Sequence, residues 1–175
     1  ARGSPHIIFR GLTINNNLKR WNRGTGTNPG SEAVYTTATP KTFGNIEADQ
    51  AYWLYLTAGT TIKVNGTAAA TARHIRLQYT EDPTDHTTYG LIGYPFQTGQ
   101  SLGNCQVYNP AGDEPKTRSM ADAALAGWVP DTFYGITPGD TPTEYGVTSS
   151  DMLEPWHGYK GACLVPGCEL IIPKP

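Results

Sequence analysis

The sequence predicts an all-β protein, a jelly-roll-like β-sandwich built from two unequal pseudo-repeats with one short helix. Two observations carry that expectation. The 175 residues include 20 Gly, 14 Pro and 10 Tyr, with abundant Thr. Stretches rich in Leu, Glu, Lys and Ala are scarce, so the balance favours strands and turns over helices. The second observation is a strand-turn-strand pattern that occurs twice. In 151–173 the turn Leu-Glu-Pro-Trp-His-Gly precedes the runs 159–164 and 168–172, set around Val165-Pro166-Gly167. Together these predict a tight turn and a β-hairpin. Residues 46–64 repeat the pattern more weakly. Ile46-Glu47 answers Leu153-Glu154, and Ala51-Tyr52 answers Gly158-Tyr159. Gly59 answers Gly167 after one inserted residue, and Ile62-Lys63-Val64 answers Leu170-Ile171-Ile172. Matches in this order, on a shared grammar, indicate a degenerate duplication. The expected organisation is one domain, 1–175, with halves of about 1–70 and 73–175.

Taken in order, 1–5 reads as a loose arm and His6, Ile7, Ile8 and Phe9 as a short apolar strand. Residues 12–21 continue or pair with it. The Gly- and Asn-rich 22–31 is a loop, and 33–37 is a strand closed by Thr39-Pro40. The run Tyr52-Trp53-Leu54-Tyr55-Leu56 is apolar on both faces, so both faces are expected to be covered. The small residues 67–71 form the connector between halves. Alternation puts Ile75, Leu77 and Tyr79 on one face of a strand. A polar loop, 81–88, leads to a buried strand at 89–96, and a short strand at 105–108 precedes the turn 109–112. The expected helix is 120–126, with Ser119 as N-cap, Asp122 in the first turn and Gly127 as terminator. Trp128-Val129 then returns to the core. Strands at 133–136 and 145–148 bracket a Pro/Gly/Asp loop before the final hairpin. Tyr52, Leu54, Leu91, Ile92, Trp128, Tyr159 and Leu170 are the expected core.

Charged residues are 16% of the chain and the net charge is −2, which is no footprint for nucleic acid. Apolar runs fall far short of a membrane span. Ala1 follows no signal peptide and no initiator Met, which a mature form cut from a precursor explains, as does a partial chain. Tyr- and Thr-rich, Lys-poor composition is common among extracellular proteins. The sequon Asn65-Gly66-Thr67 follows an expected strand and is a candidate glycosylation site. Cys163 and Cys168 flank the hairpin turn and are candidates for a disulfide. Cys105 then either pairs with one of them, stays buried as a small hydrophobe, or bonds another subunit.

At Gly90-Leu91-Ile92-Gly93-Tyr94-Pro95, and again at 153–159, the sequence resembles a recurrent repeat module of secreted and cell-surface bacterial proteins. Its pattern runs Trp-Asn-Leu-Ile-Gly-Tyr-Pro, a variable middle, then Leu-x-Pro-Gly-x-Gly-Tyr-Trp. The likeness covers about 73–173, with the end of a second copy at 46–64. Gly90 stands where Asn is expected and Lys160 where Trp is expected. The resemblance implies location and architecture and no chemistry.

Motifs for nucleophilic, metal-dependent or phosphate chemistry are absent from the sequence, and no enzyme is expected. Glu47 and Glu154 occupy the same turn in two copies, so backbone anchoring is expected of them rather than glycosidase work. His157 reads as a turn residue. Calcium is a possible ligand of the acidic loops holding Glu81, Asp82 and Asp85, or Asp113 and Glu114, but neither has EF-hand spacing. The aromatics have more reach. Trp21, Trp156 and Tyr159 are candidates for stacking on sugars, and Tyr52, Trp53 and Tyr55 for a subunit interface. With His6 to Phe9 as a strand lacking a local partner, the expectation is a non-catalytic structural subunit of an extracellular assembly: a fibre, sheath, surface layer or virion coat. Its copies would be linked into a homopolymer by exchange of the N-terminal strand. The alternative is a carbohydrate-binding module of a secreted protein, with glycans as partners.

Overall fold

The computed structural model describes residues 4–10, 12–22, 31–47, 50–56, 69–137 and 143–175. Asn65 and the expected strand 62–64 lie outside them. The fold is all-β, with short strands in several mostly antiparallel sheets. In the first half, helix α1 (Pro5–Ile8) is followed by β1 (Leu18–Asn22), β2 (Ser31–Val34), helix α2 (Pro40–Phe43) and β3 (Tyr52–Leu54). The three strands form one antiparallel sheet in the order β2-β1-β3.

Two expectations for this half are corrected. Residues 6–8 are helical, because Pro5 sits at N1 with φ already set for a helix. The amides of Ile8 and Phe9 then donate to Ser4 O and Pro5 O at 3.2 and 2.9 Å. A four-residue apolar run has no period to separate strand from helix. Pro40 starts a second one-turn helix in the same way, so among the described residues three short α-helices stand where one was expected. The other correction concerns β3, whose run was expected to be covered on both faces and is half-buried at Tyr52, Trp53 and Leu54 and exposed at Tyr55. It pairs with β1, Tyr52 opposite Arg20 and Leu54 opposite Leu18.

The second half begins with β4 (Arg73–Arg76) and β5 (Gln78–Tyr79), then β6 (Gly90–Gly93), β7 (Gln100–Ser101), β8 (Gln106–Tyr108) and β9 (Thr117–Ser119). Helix α3 (Met120–Leu125) follows, and then β10 (Phe133–Thr137), β11 (Thr143–Val147), β12 (Met152–Leu153), β13 (Gly158–Cys163) and β14 (Glu169–Ile172). Helix α3 starts as expected: the Ser119 hydroxyl oxygen accepts the Asp122 N–H at 3.1 Å and its O–H donates to the Asp122 carboxylate at 2.7 Å. Gly127, at φ 69°, ends it.

β13 is the central strand of one sheet, with β10 on one edge and β6, then β5, along the other. β14 belongs to a different sheet, ordered β4-β14-β8-β9. The expected hairpin between them is therefore a crossover from sheet to sheet. The chain makes a second crossover beside it at Leu77, between β4 and β5. Leu77 N donates to Cys168 O and Thr80 N donates to Cys163 O, both at 2.9 Å. These two crossings tie the sheets together over one hydrophobic core. It holds Ile75, Val107, Leu170 and Ile172 from one sheet and Ile92, Phe133, Val147 and Tyr159 from the other. Gly161, on the central strand, leaves room for its flanking neighbours, since a Cβ there would stand 2.6 Å from Ile92 Cδ1 and 2.8 Å from the Phe133 ring. Of the expected core, Ile92, Trp128, Tyr159 and Leu170 are buried, and Tyr52, Leu54 and Leu91 half-buried. The first half has a separate core, Ile14, Leu18, Tyr35 and Phe43, with Tyr52 and Leu54 packed on it.

The two halves share one local device. The Glu154 N–H donates to the Tyr159 hydroxyl at 2.6 Å, and the Glu47 N–H donates to the Tyr52 hydroxyl at 2.8 Å. In both, a tyrosine five residues on closes the turn. Glu47 and Glu154 also hold local amides through their carbonyls, which accept from Gln50 N at 3.5 Å and His157 N at 3.3 Å, while their own amides are held by the tyrosines. Burial, as the largest influence, raises the pKa of both tyrosines above the ordinary phenol range, which keeps the hydroxyls protonated.

Trp156, within the second turn, has φ 67°, a left-handed conformation that suits glycine.

Removing the clamp in Tyr159→Phe is expected to destabilise the protein by about 1–2 kcal/mol, the cost of an unsatisfied part-buried amide, measured by chemical denaturation. Trp156→Gly is expected to do the opposite. Relief of left-handed strain outweighs the added chain entropy by about 1 kcal/mol. That corresponds to a rise of about 2–4 °C in melting temperature; a fall would show that the indole makes a stabilising contact.

Candidate functional site: a cleft between the halves

The sheet β2-β1-β3 has two faces with different duties. Leu18, Tyr35, Tyr52 and Leu54 point into the small core. Lys19, Trp21, Glu32 and Trp53 lie on the opposite face, since strand side chains alternate and Lys19 pairs with Trp53 while Trp21 pairs with Glu32. The outer face of the second half has the same construction: Leu91 is opposite Lys160, and Ile136 is opposite Glu144. These outer faces enclose a cleft of about 420 Å³, with Thr87 and Tyr89 completing the far wall. That volume falls within the range of small-molecule sites.

Ion pairs flank the aromatic walls. Lys19 Nζ is 3.0 Å from Glu32 Oε1. Lys160 Nζ pairs with Glu144 Oε1, and His86 Nδ1 lies 3.5 Å from Glu144 Oε2. The His86 ring rests on Tyr134 with centroids 3.7 Å apart, and Tyr134 meets Tyr89 at 5.8 Å. Tyr89 donates to Pro83 O at 2.9 Å, and burial pushes its hydroxyl up to about 12. Arg20 lies at the cleft edge with its guanidinium over Phe43, 5.1 Å from the ring centre. Arg20 Nε and the Trp21 indole nitrogen are buried without a hydrogen-bond partner among the described residues.

Beside the cleft the halves meet through equivalent positions. A Cβ on Gly158 would stand 3.0 Å from the Cβ of Ala51, the residue the sequence pattern matches with it. A Cβ on Gly93 would stand 2.7 Å from Gln50 O, so that position accepts only glycine without displacement of the first half.

Of the residues singled out in the sequence, the structure brings Trp21 and Trp53 together on one cleft wall. Tyr52 is spoken for by its clamp, and Tyr55 is exposed. Trp156 is 78% exposed, outside the cleft. Tyr159 is 1% exposed, so its expected role in sugar stacking gives way to the core. Phe9 packs on the first-half core, which removes it, with helical residues 6–8, from the exchanged strand.

All three cysteines are free thiols and buried, so the expected disulfide between Cys163 and Cys168 is not formed. Cys163 Sγ points at Leu77 O, 3.8 Å away. A hydrogen bond to Cys168, then burial, raise the Cys163 thiol, while the same bond lowers Cys168. Cys105 is a core hydrophobe pushed up to about 12 by burial.

Glu47 is half-buried and Glu154 exposed, in the equivalent turns of the two halves. The Asp82 carboxylate accepts from the N–H and hydroxyl of Thr84, and that of Asp85 from those of Thr87. Among the described residues no three His, Cys, Asp or Glu side chains are placed to hold a metal ion.

Lys19, Glu32, His86, Glu144 and Lys160 were not foreseen as site residues. Alternation along 18–22 was the available signal, since it places Lys19 and Trp21 on one face. Comparison with protein-family models, with curated proteins and with solved structures found no match.

Gly93→Ala is expected to lower stability by about 1–3 kcal/mol through overpacking against the Gln50 carbonyl, read by calorimetry. An unchanged melting temperature would mean that the halves do not touch there.

Proposed function

We propose that the chain is a non-catalytic structural module of an extracellular or cell-surface assembly. The observation that carries this is the duplicated tyrosine clamp in two halves that meet through equivalent residues, Ala51 against Gly158. A unit whose surface fits a copy of itself is a building block for repetition. Exposed apolar side chains support further contacts: Leu125 at 88%, Trp156 at 78% and Met152 at 48%. Assembly by exchange of the N-terminal strand is not part of this proposal, because 5–8 is helical and Phe9 packs on the first-half core. The carboxylates lining the cleft are each engaged by a lysine, which favours a binding or structural surface over acid-base chemistry. The alternative of a carbohydrate-binding module is favoured by the paired tryptophans of the cleft.

Size-exclusion chromatography with light scattering, followed by electron microscopy, tests the proposal. Assemblies well above the 18.9 kDa of one chain are expected without added ligand. Trp156→Ser is expected to shift them towards the monomer. A protein that stays monomeric at every concentration overturns the structural role.

A further inference from the structure

We propose that the cleft between the halves binds a neutral saccharide. The inference does not depend on self-assembly, and it rests on three properties of the walls. First, Trp21 and Trp53 stand on one face of adjacent strands, where their indoles offer wide apolar surface. The C–H face of a sugar ring packs on such a π surface without losing any hydrogen bond. Second, donors and acceptors are presented side by side. Lys19 sits with Glu32, and Lys160 with Glu144. Lysine only donates and carboxylate only accepts. A hydroxyl does both, so one hydroxyl or a vicinal pair satisfies both members of each ion pair. Third, one donor on the tryptophan wall, Trp21 Nε1, has no partner among the described residues, and a buried donor calls for an oxygen.

The same features disfavour other ligand classes. A phosphate or carboxylate accepts without donating, so Glu32 and Glu144 would repel it while their lysines are already neutralised. An extended peptide would seek a free backbone edge, whereas these walls are sheet faces. A saccharide is the class that uses the aromatics and both ion pairs.

The two walls also come from equivalent strands of the two copies. Lys19 corresponds to Leu91, and Trp53 to Lys160, through their shared pairing with the clamp strands. The departure at Lys160 therefore leaves an aromatic on one wall and a cation on the other. A ring is gripped by an apolar face on one side and a hydrogen-bonding group on the opposite side.

Affinity electrophoresis of the full chain in gels containing laminarin, xylan, galactomannan or alginate tests this, with tryptophan fluorescence titration in parallel. Retardation by at least one of the three neutral polysaccharides is expected, together with a fluorescence change. Trp53→Ala and Lys160→Gln, on opposite walls, should each weaken binding at least tenfold while Trp156→Ala leaves it unchanged. Lys160→Gln keeps the test valid if Trp53→Ala melts early, because it leaves the first-half core untouched. Failure to bind any of the neutral polysaccharides overturns the proposal, as does binding to alginate alone. So does binding that survives both cleft variants, or that is lost in Trp156→Ala.

Discussion

The hydrogen bond from the Glu154 amide to the buried Tyr159 hydroxyl fixes more of this structure than its size suggests. It holds the start of β13 against the end of β12 across a six-residue turn, with His157 N donating to Glu154 O at 3.3 Å inside it. β12 in turn pairs with β7, and β13 is the strand on which β5, β6 and β10 assemble. A phenol accepting one amide contributes about 1 kcal/mol net, yet its loss would leave a part-buried donor and a loosened entry to the central strand. The first half uses the same bond at Tyr52 for its own turn. Two separate cores thus each adjoin a turn closed by the same kind of bond.

Most strands were legible, because short apolar runs between Gly, Pro and Asp turns report themselves locally. Their pairing was not. Cys163, Val165-Pro166-Gly167 and Cys168 satisfy every local rule for a hairpin, but a turn signal states only that the chain reverses. Whether β13 and β14 share a sheet was decided by Leu77, whose amide takes Cys168 O and whose carbonyl faces Cys163. That partner lies some ninety residues away, and no local pattern contains it. The helix at Pro5–Ile8 failed for the opposite reason: a single proline outweighed four apolar residues too few to show a period.

The candidate site was half legible. Tryptophans are conspicuous in a sequence, and Trp21 was marked for sugar contact and Trp53 for an interface. The ion pairs were invisible, since Lys160 and Glu144 are cross-sheet neighbours separated by a loop and by β12. Tyr159 shows the limit of reading aromatics by type: the same residue class serves as clamp, as core and as cleft wall. Only burial distinguishes these uses.

The cleft follows from a constraint that applies to each sheet separately. Each sheet buries one face in its core and alternation forces the other outward, so Trp53 and Lys160 had no inward option once Tyr52 and Tyr159 became clamps. Two sheets brought together at Ala51 and Gly158 then place their outer faces opposite one another. If those faces had become uniformly apolar they would have closed into a third core. Lys19 with Glu32 and Lys160 with Glu144 prevent that, because burying two ion pairs without water costs more than their attraction returns. The space stays open, and what occupies it must satisfy charge and aromatic surface together.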